Sequence, residues 1–116
     1  MIVDDVNDQR LIAHTALKRL GYNPCSVGSG EAAVAYLKEK KVDVVLLDMI
    51  MDPGIDGLET FKQIRQISKD QKAVIASGFS KTEKVKAAMA LGAGTYIKKP
   101  YTIEKIASAI RQVLDA

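Results

Sequence analysis

Short apolar runs alternate with amphipathic segments from one end of the chain to the other. "MIV" (residues 1–3) reads as a short strand running into Asp4 and Asp5. The next segment fits a helix from an Asn7 N-cap to Leu20, with Ala13, Ala16, Leu17 and Leu20 on one face and Gly21 as the stop. Residues 23–27, "NPCSV", form a weak second strand, and Ser29 caps a helix over "GEAAVAYLKEKK". Val42, Val44, Val45, Leu46 and Leu47 surround only Asp43 and end at Asp48, the pattern of a strand buried on both faces. A Pro/Gly-containing loop reaches Gly57. Leu58, Phe61 and Ile64 then recur at helical spacing. "KAVIAS" is a fourth strand ending at Ser77 and Gly78, followed by a helix marked by Val85, Ala88 and Met89 that Gly92 stops. "TYIKKP" is a fifth strand that Pro100 terminates, and Thr102 opens a last helix with Ile103, Ile106, Ile110 and Val113 or Leu114 inward.

Strands alternating with helices predict one α/β domain over residues 1–116, an open parallel sheet covered on both faces. No repeat, low-complexity tract or interdomain linker interrupts the pattern. In such sheets ligands bind beyond the carboxyl ends of the strands. That rule selects Asp4 and Asp5 after strand one, Asp48 at the end of strand three, Ser77 at the end of strand four and Lys99 at the end of strand five. Each has a mundane alternative. Asp48 caps a turn, Asp4 and Asp5 form one, Ser77 caps, and Lys99 is a solvated charge. Their convergence on one rim weighs against all four alternatives at once.

Composition narrows the picture. Hydrophobic residues are 47% and charged residues 27% of 116, ordinary for a soluble globular chain. No apolar stretch approaches the roughly 20 residues of a membrane span and no signal peptide opens the chain, so no membrane contact is expected. The single cysteine, Cys25, cannot close an internal disulfide, which suits a reducing cytoplasm, and it reads as a structural thiol. The net charge of +3 raises a nucleic-acid reading. The basic residues are scattered among acids, however, and the two Phe and four Tyr with no Trp offer little to stack on bases, so no direct nucleic-acid contact is expected.

Chemically, the rim residues form a coherent set. Hard oxygen ligands from Asp5 and Asp48, with Asp4 acting through water, would hold Mg²⁺. The cation and the Lys99 ammonium would neutralise a phosphoryl group, and the Ser77 hydroxyl would hydrogen-bond one of its oxygens. Asp48 is then a nucleophile that takes up phosphate as an acyl phosphate.

With those residues in view, the chain resembles the receiver domains of bacterial two-component response regulators. The marks are "VDD" (Val3–Asp5), "LLDMIM" (Leu46–Met51), "DG" (Asp56–Gly57), "ASG" (Ala76–Gly78) and "LGAGTYIKKP" (Leu91–Pro100). The resemblance implies a flavodoxin-like three-layer sandwich, with a five-stranded parallel sheet of order 2-1-3-4-5 and five helices. It implies Asp48 as phosphoacceptor, Asp4 and Asp5 as the acid pair, and the Ile50 backbone carbonyl as a further Mg²⁺ ligand. Ser77 becomes the switch hydroxyl, Tyr96 the switch aromatic, and Lys99 the phosphate-binding lysine before a cis Pro100. Lys98 is the second candidate for that lysine. The implied phosphodonor is a histidine kinase or phosphotransfer domain, and the readers are an unknown downstream protein or a second copy meeting through helix four, strand five and helix five. The implied role is a phosphoacceptor that assists its own phosphorylation and slow dephosphorylation, not a turnover enzyme. Ile50 and Phe79, two positions after Asp48 and Ser77, are apolar and would shield the phosphoryl group from water.

Two departures stand out. The loop from Asp48 to Asp56 is one residue longer than usual, with Asp52 before Pro53 as the extra. The first strand is short, as in a domain cut from a longer protein such as a hybrid sensor kinase; a stand-alone regulator is the alternative. His14 reads as a surface or packing residue, and Met49 and Met51 as core or loop filler. Three rival functions fit less well. A haloacid-dehalogenase-like phosphohydrolase wants a second Asp where Ile50 stands. A flavin or nucleotide binder wants a Gly- or hydroxyl-rich loop where "DDVNDQR" stands. A degenerate receiver acting only as an interaction module would not need the full acid set.

Overall fold

The computed structural model describes residues 1–51, 54–78 and 82–115. The expectations placed on Asp52 and Phe79 lie outside the described residues. The strands are β1 (Ile2–Val3), β2 (Ser26–Val27), β3 (Val44–Asp48), β4 (Lys72–Ser77) and β5 (Thr95–Lys98), all parallel in the order β2-β1-β3-β4-β5. The helices are α1 (Asn7–Arg19), α2 (Gly30–Glu39), α3 (Gly57–Ile67), α4 (Glu83–Ala90) and α5 (Ile103–Leu114).

The two-residue period of the strands divides the core. Val3, Val45, Leu47, Ala73 and Ile75 face α2, α3 and α4, where Leu37, Phe61, Ile64, Val85 and Ala88 meet them. Ile2, Leu46, Val74, Ala76 and Ile97 face α1 and α5, where Ala13, Leu17, Ile106, Ile110 and Val113 meet them. β3 sits between β1 and β4 with both faces covered, which is why its apolar run does not alternate with polar residues.

Four helices begin on side-chain caps. Ser29 Oγ accepts from Ala32 N (3.1 Å), Asp56 Oδ1 from Glu59 N (2.9 Å), Thr82 Oγ1 from Val85 N (3.2 Å) and Thr102 Oγ1 from Lys105 N (3.1 Å). α1 differs from the expectation. Its N-cap is Val6, with no side-chain cap, and Asn7 is already helical. The reason lies one turn earlier: Asp4 Oδ1 accepts from Val6 N at 2.9 Å and turns the chain into the helix before Asn7 is reached.

Gly21 and Gly92 stop α1 and α4 as expected, at φ +92° and +108°. Each completes a Schellman motif, with Tyr22 N donating to Leu17 O and Ala93 N to Ala88 O. Leu20 is the C-cap of α1 and 37% exposed, so it does not share the buried face of Ala13, Ala16 and Leu17. β2 is shorter than residues 23–27, because Pro24 has no N–H to give a ladder. α2 stops at Glu39, with Lys40 extended. Met49 and Met51 are buried filler, Cys25 is a half-buried free thiol, and His14 is half-buried on α1.

Candidate functional site at the carboxyl rim

Register brings the rim residues together. Val3 pairs with Leu47, which sets Asp4 level with Asp48; Asp48 pairs with Ala76, and Ser77 with Lys98. Asp4 is fully buried, Asp48 4% exposed and Ser77 2% exposed, whereas Asp5 is exposed. Carboxylate oxygens of Asp4, Asp5 and Asp48 lie within 4.8 Å of one another.

Lys99 closes the cluster. Its Nζ donates to Asp4 Oδ2 at 2.9 Å and lies 3.0 Å from Asp48 Oδ1. Its backbone N donates to Ser77 O at 2.7 Å, anchoring it beside β4. Lys98, the last residue of β5, is exposed, and Lys99 just beyond it is the one of the two whose ammonium reaches Asp4 and Asp48. The Lys99–Pro100 peptide bond is cis, matching the expectation.

Burial is the largest influence on Asp48 and, with the nearby Asp4 charge, pushes its carboxyl up to about 6, against the opposing pull of Lys99. Burial would lower the Lys99 pKa, but the hydrogen bonds and charges of Asp4 and Asp48 prevail and raise it. The two shifts describe one frustrated cluster: the buried carboxylates of Asp4 and Asp48 share one ammonium, and the Asp5 carboxylate lies close by. That donor set, hard carboxylate oxygens from three residues within 4.8 Å of one another, fits a divalent cation of the Mg²⁺ type.

Neighbouring parts hold the rim in place. Ile50 is 57% exposed, and its N–H approaches Asp48 Oδ1 at 3.5 Å. Gly57 N donates to Met49 O at 3.0 Å, and a Cβ on Gly57 would lie 2.4 Å from Asp48 O. The "DG" pair thus has a physical reason: Asp56 caps α3, and only glycine lets α3 start against the end of β3. Tyr96 is half-buried against the α2–α4 side of the core.

One site residue was missed from the sequence. Tyr101 is 7% exposed, and its hydroxyl lies 3.2 Å from Asp4 Oδ2. Burial first, then the charges of Asp4 and Asp48, raises its pKa, so the phenol stays protonated. The available signal was a tyrosine immediately after the rim proline, where an aromatic ring alone would fill the core. Arg10, also overlooked, donates to Asp4 O at 2.7 Å and to Asn7 Oδ1 at 3.1 Å, bracing the turn into α1.

Comparison with known proteins agrees with this geometry. The response regulator receiver domain family matches residues 1–111, and the chain belongs to that family. It is therefore a signalling phosphoacceptor module of two-component systems. It is 29% identical over 114 residues to sporulation initiation phosphotransferase F of Bacillus subtilis, covering 98% of this chain and 91% of that protein. It is 34% identical over 98 residues to the sensory transduction protein RegX3 of Mycolicibacterium smegmatis, covering 84% of this chain and 42% of that protein. Among solved structures it is similar to the response regulator protein TrrA of Thermotoga maritima in complex with Mg²⁺ and beryllium fluoride. There the TM-score is 0.86 at 28% identity, with 97% of this chain and 96% of that one covered. Relatives of the module's own length and relatives more than twice as long both occur.

Proposed function

We propose that Asp48 accepts a phosphoryl group from the phosphohistidine of a histidine kinase or phosphotransfer domain. The observation that carries this reading is Lys99 Nζ set between Asp4 and Asp48, at 2.9 and 3.0 Å, on a rim with three converging carboxylates. An Asp48 carboxylate oxygen attacks phosphorus, the N–P bond breaks, and the imidazole nitrogen takes the electron pair and then a proton. Asp5, Asp48, the Ile50 carbonyl and, through water, Asp4 would hold Mg²⁺, which would supply positive charge against the phosphoryl oxygens. Lys99 pairs with one of those oxygens and the Ser77 hydroxyl donates to another. TrrA, solved with Mg²⁺ and beryllium fluoride, supports the cation and the phosphoryl position by similarity. A phosphohydrolase would need a general acid two residues after Asp48, where Ile50 has none.

In this reading Ser77 and Tyr96 transmit the phosphorylation to the surface of α4, β5 and α5, which a downstream protein or a second copy reads. None of the described helices is long and apolar enough to cross a membrane, and a cytoplasmic site of action fits the reading. The test is labelling by acetyl phosphate. Wild type should label in Mg²⁺, whereas Asp48→Asn, and wild type in chelator, should not. Labelling that survives both treatments would move the phosphoacceptor elsewhere.

A further inference from the structure

Asp4 has no solvent exposure, so both its oxygens depend on protein donors. Oδ1 accepts from Val6 N, and Oδ2 accepts from Lys99 Nζ at 2.9 Å and from the Tyr101 hydroxyl at 3.2 Å. Lys99 cannot serve Oδ2 alone, because its ammonium also lies 3.0 Å from Asp48 Oδ1. Any negative group arriving at Asp48 would draw that ammonium further from Asp4. Tyr101 has no such competing duty. Its ring is locked in the core with Ile106, Ile110 and Val113, and Asp4 is the hydrogen-bond partner of its hydroxyl.

The apolar surroundings need only the ring, which phenylalanine would supply. The hydroxyl adds one interaction, to the fully buried member of the three acids that converge at the candidate cation site. A buried donor on a metal-site carboxylate fixes its orientation, and removing such a partner typically costs about 10- to 100-fold in metal affinity. We infer that Tyr101 is a positioning residue for Asp4: its hydroxyl holds the buried carboxylate in place for a divalent cation while Lys99 is free to follow the phosphoryl group. This inference rests on the phosphoacceptor reading for the role of Lys99, but its first consequence is cation binding by the unphosphorylated chain.

The experiment compares wild type and Tyr101→Phe by calorimetric titration with MgCl₂, alongside melting temperatures in chelator. The expected result is about 10-fold weaker Mg²⁺ binding in Tyr101→Phe, with the metal-free melting temperature close to wild type. The Mg²⁺ concentration that half-saturates acetyl phosphate labelling should rise by the same factor, while the rate at saturating Mg²⁺ is kept. Equal affinities would overturn the inference, and so would a lowered saturating rate with an unchanged Mg²⁺ requirement, which marks a merely structural role. As a measurement that leaves the residue in place, wild type carrying 3-fluorotyrosine should show the Tyr101 fluorine resonance moving with the Mg²⁺ titration; a resonance blind to the cation overturns the inference as well. Wild type that binds Mg²⁺ without labelling at Asp48 sinks the phosphoacceptor reading and leaves the Tyr101 result to be judged on binding alone.

Discussion

Lys99 Nζ lies 3.0 Å from Asp48 Oδ1, yet the Asp48 carboxyl is pushed up to about 6 by burial and by the charge of Asp4. One shared ammonium therefore does not balance the buried acids. The cluster is less stable than its ion pair suggests, which is how a site suited to a cation should behave.

A pH dependence follows. The folded chain holds the Asp48 proton more tightly than the unfolded chain, whose carboxyl titrates near its ordinary 3.8. Between about pH 4 and 6 the folded state binds more protons, so stability falls as pH rises through this window and stays lowered above it. Two pKa units correspond to ~3 kcal/mol at most. In chelator at pH 7, Asp48→Asn should be more stable than wild type by about 1–3 kcal/mol, the gap closing toward pH 4. Denaturant melts from pH 4 to 7.5 measure it; a constant gap would remove Asp48 as its source.

Gly57 should resist even alanine. A Cβ there would sit 2.4 Å from Asp48 O and 2.7 Å from Met49 Cα, both main-chain atoms that no rotamer change can move aside. α3 would have to back away from the end of β3. Gly57→Ala should cost about 1–3 kcal/mol and slow Asp48 labelling, because the main chain that carries Asp48 shifts with it. An unchanged denaturation midpoint would show that α3 yields freely.

A switch through Ser77 and Tyr96 has a structural path. Tyr96 pairs with Ile75, two residues before Ser77, so alternation puts Ser77 and Tyr96 on the same face of the sheet, the one that α4 covers. Drawing the Ser77 hydroxyl toward Asp48 would open space for the half-buried Tyr96 ring, and the states then differ by a hydrogen bond and a repacked ring. Adding Mg²⁺ and beryllofluoride should move amide resonances on the rim, at Tyr96 and along α4. In Ser77→Ala the rim shifts should persist while those at Tyr96 and α4 shrink. Responses at Tyr96 and α4 that are the same in both proteins would break the proposed path.

Most of this arrangement is legible in the residues, because the strand-end rule needs only element order. Asp4, Asp5, Asp48, Ser77 and Lys99 follow from where apolar runs stop, and Ser29 and Thr102 act locally as caps. What escapes the pattern is decided by contacts distant in sequence or by local competition. Asn7 loses the cap role because Asp4 takes the preceding turn. The choice between Lys98 and Lys99 rests on which ammonium reaches Asp4 and Asp48, and Tyr101 gains its meaning only beside a residue 97 positions away.

The lifetime of the phosphorylated state should depend on Ile50. Two residues after the phosphoacceptor, it is 57% exposed, and its backbone N–H lies 3.5 Å from Asp48 Oδ1, so the residue sits beside the site with its side chain open to solvent. Hydrolysis needs a water aligned with the Asp–phosphate bond. An apolar side chain there cannot hydrogen-bond and align that water, which predicts slow loss of phosphate. Ile50→Asn supplies a donor and an acceptor there and should speed the loss up to about 10-fold, equivalent to ~1.4 kcal/mol of barrier. Ile50→Leu, still apolar, should stay slow and so separates polarity from shape. Phosphate release is followed after removing the donor, with the labelling rate checked in parallel. An Asn variant no faster than wild type would place control of the lifetime elsewhere on the rim.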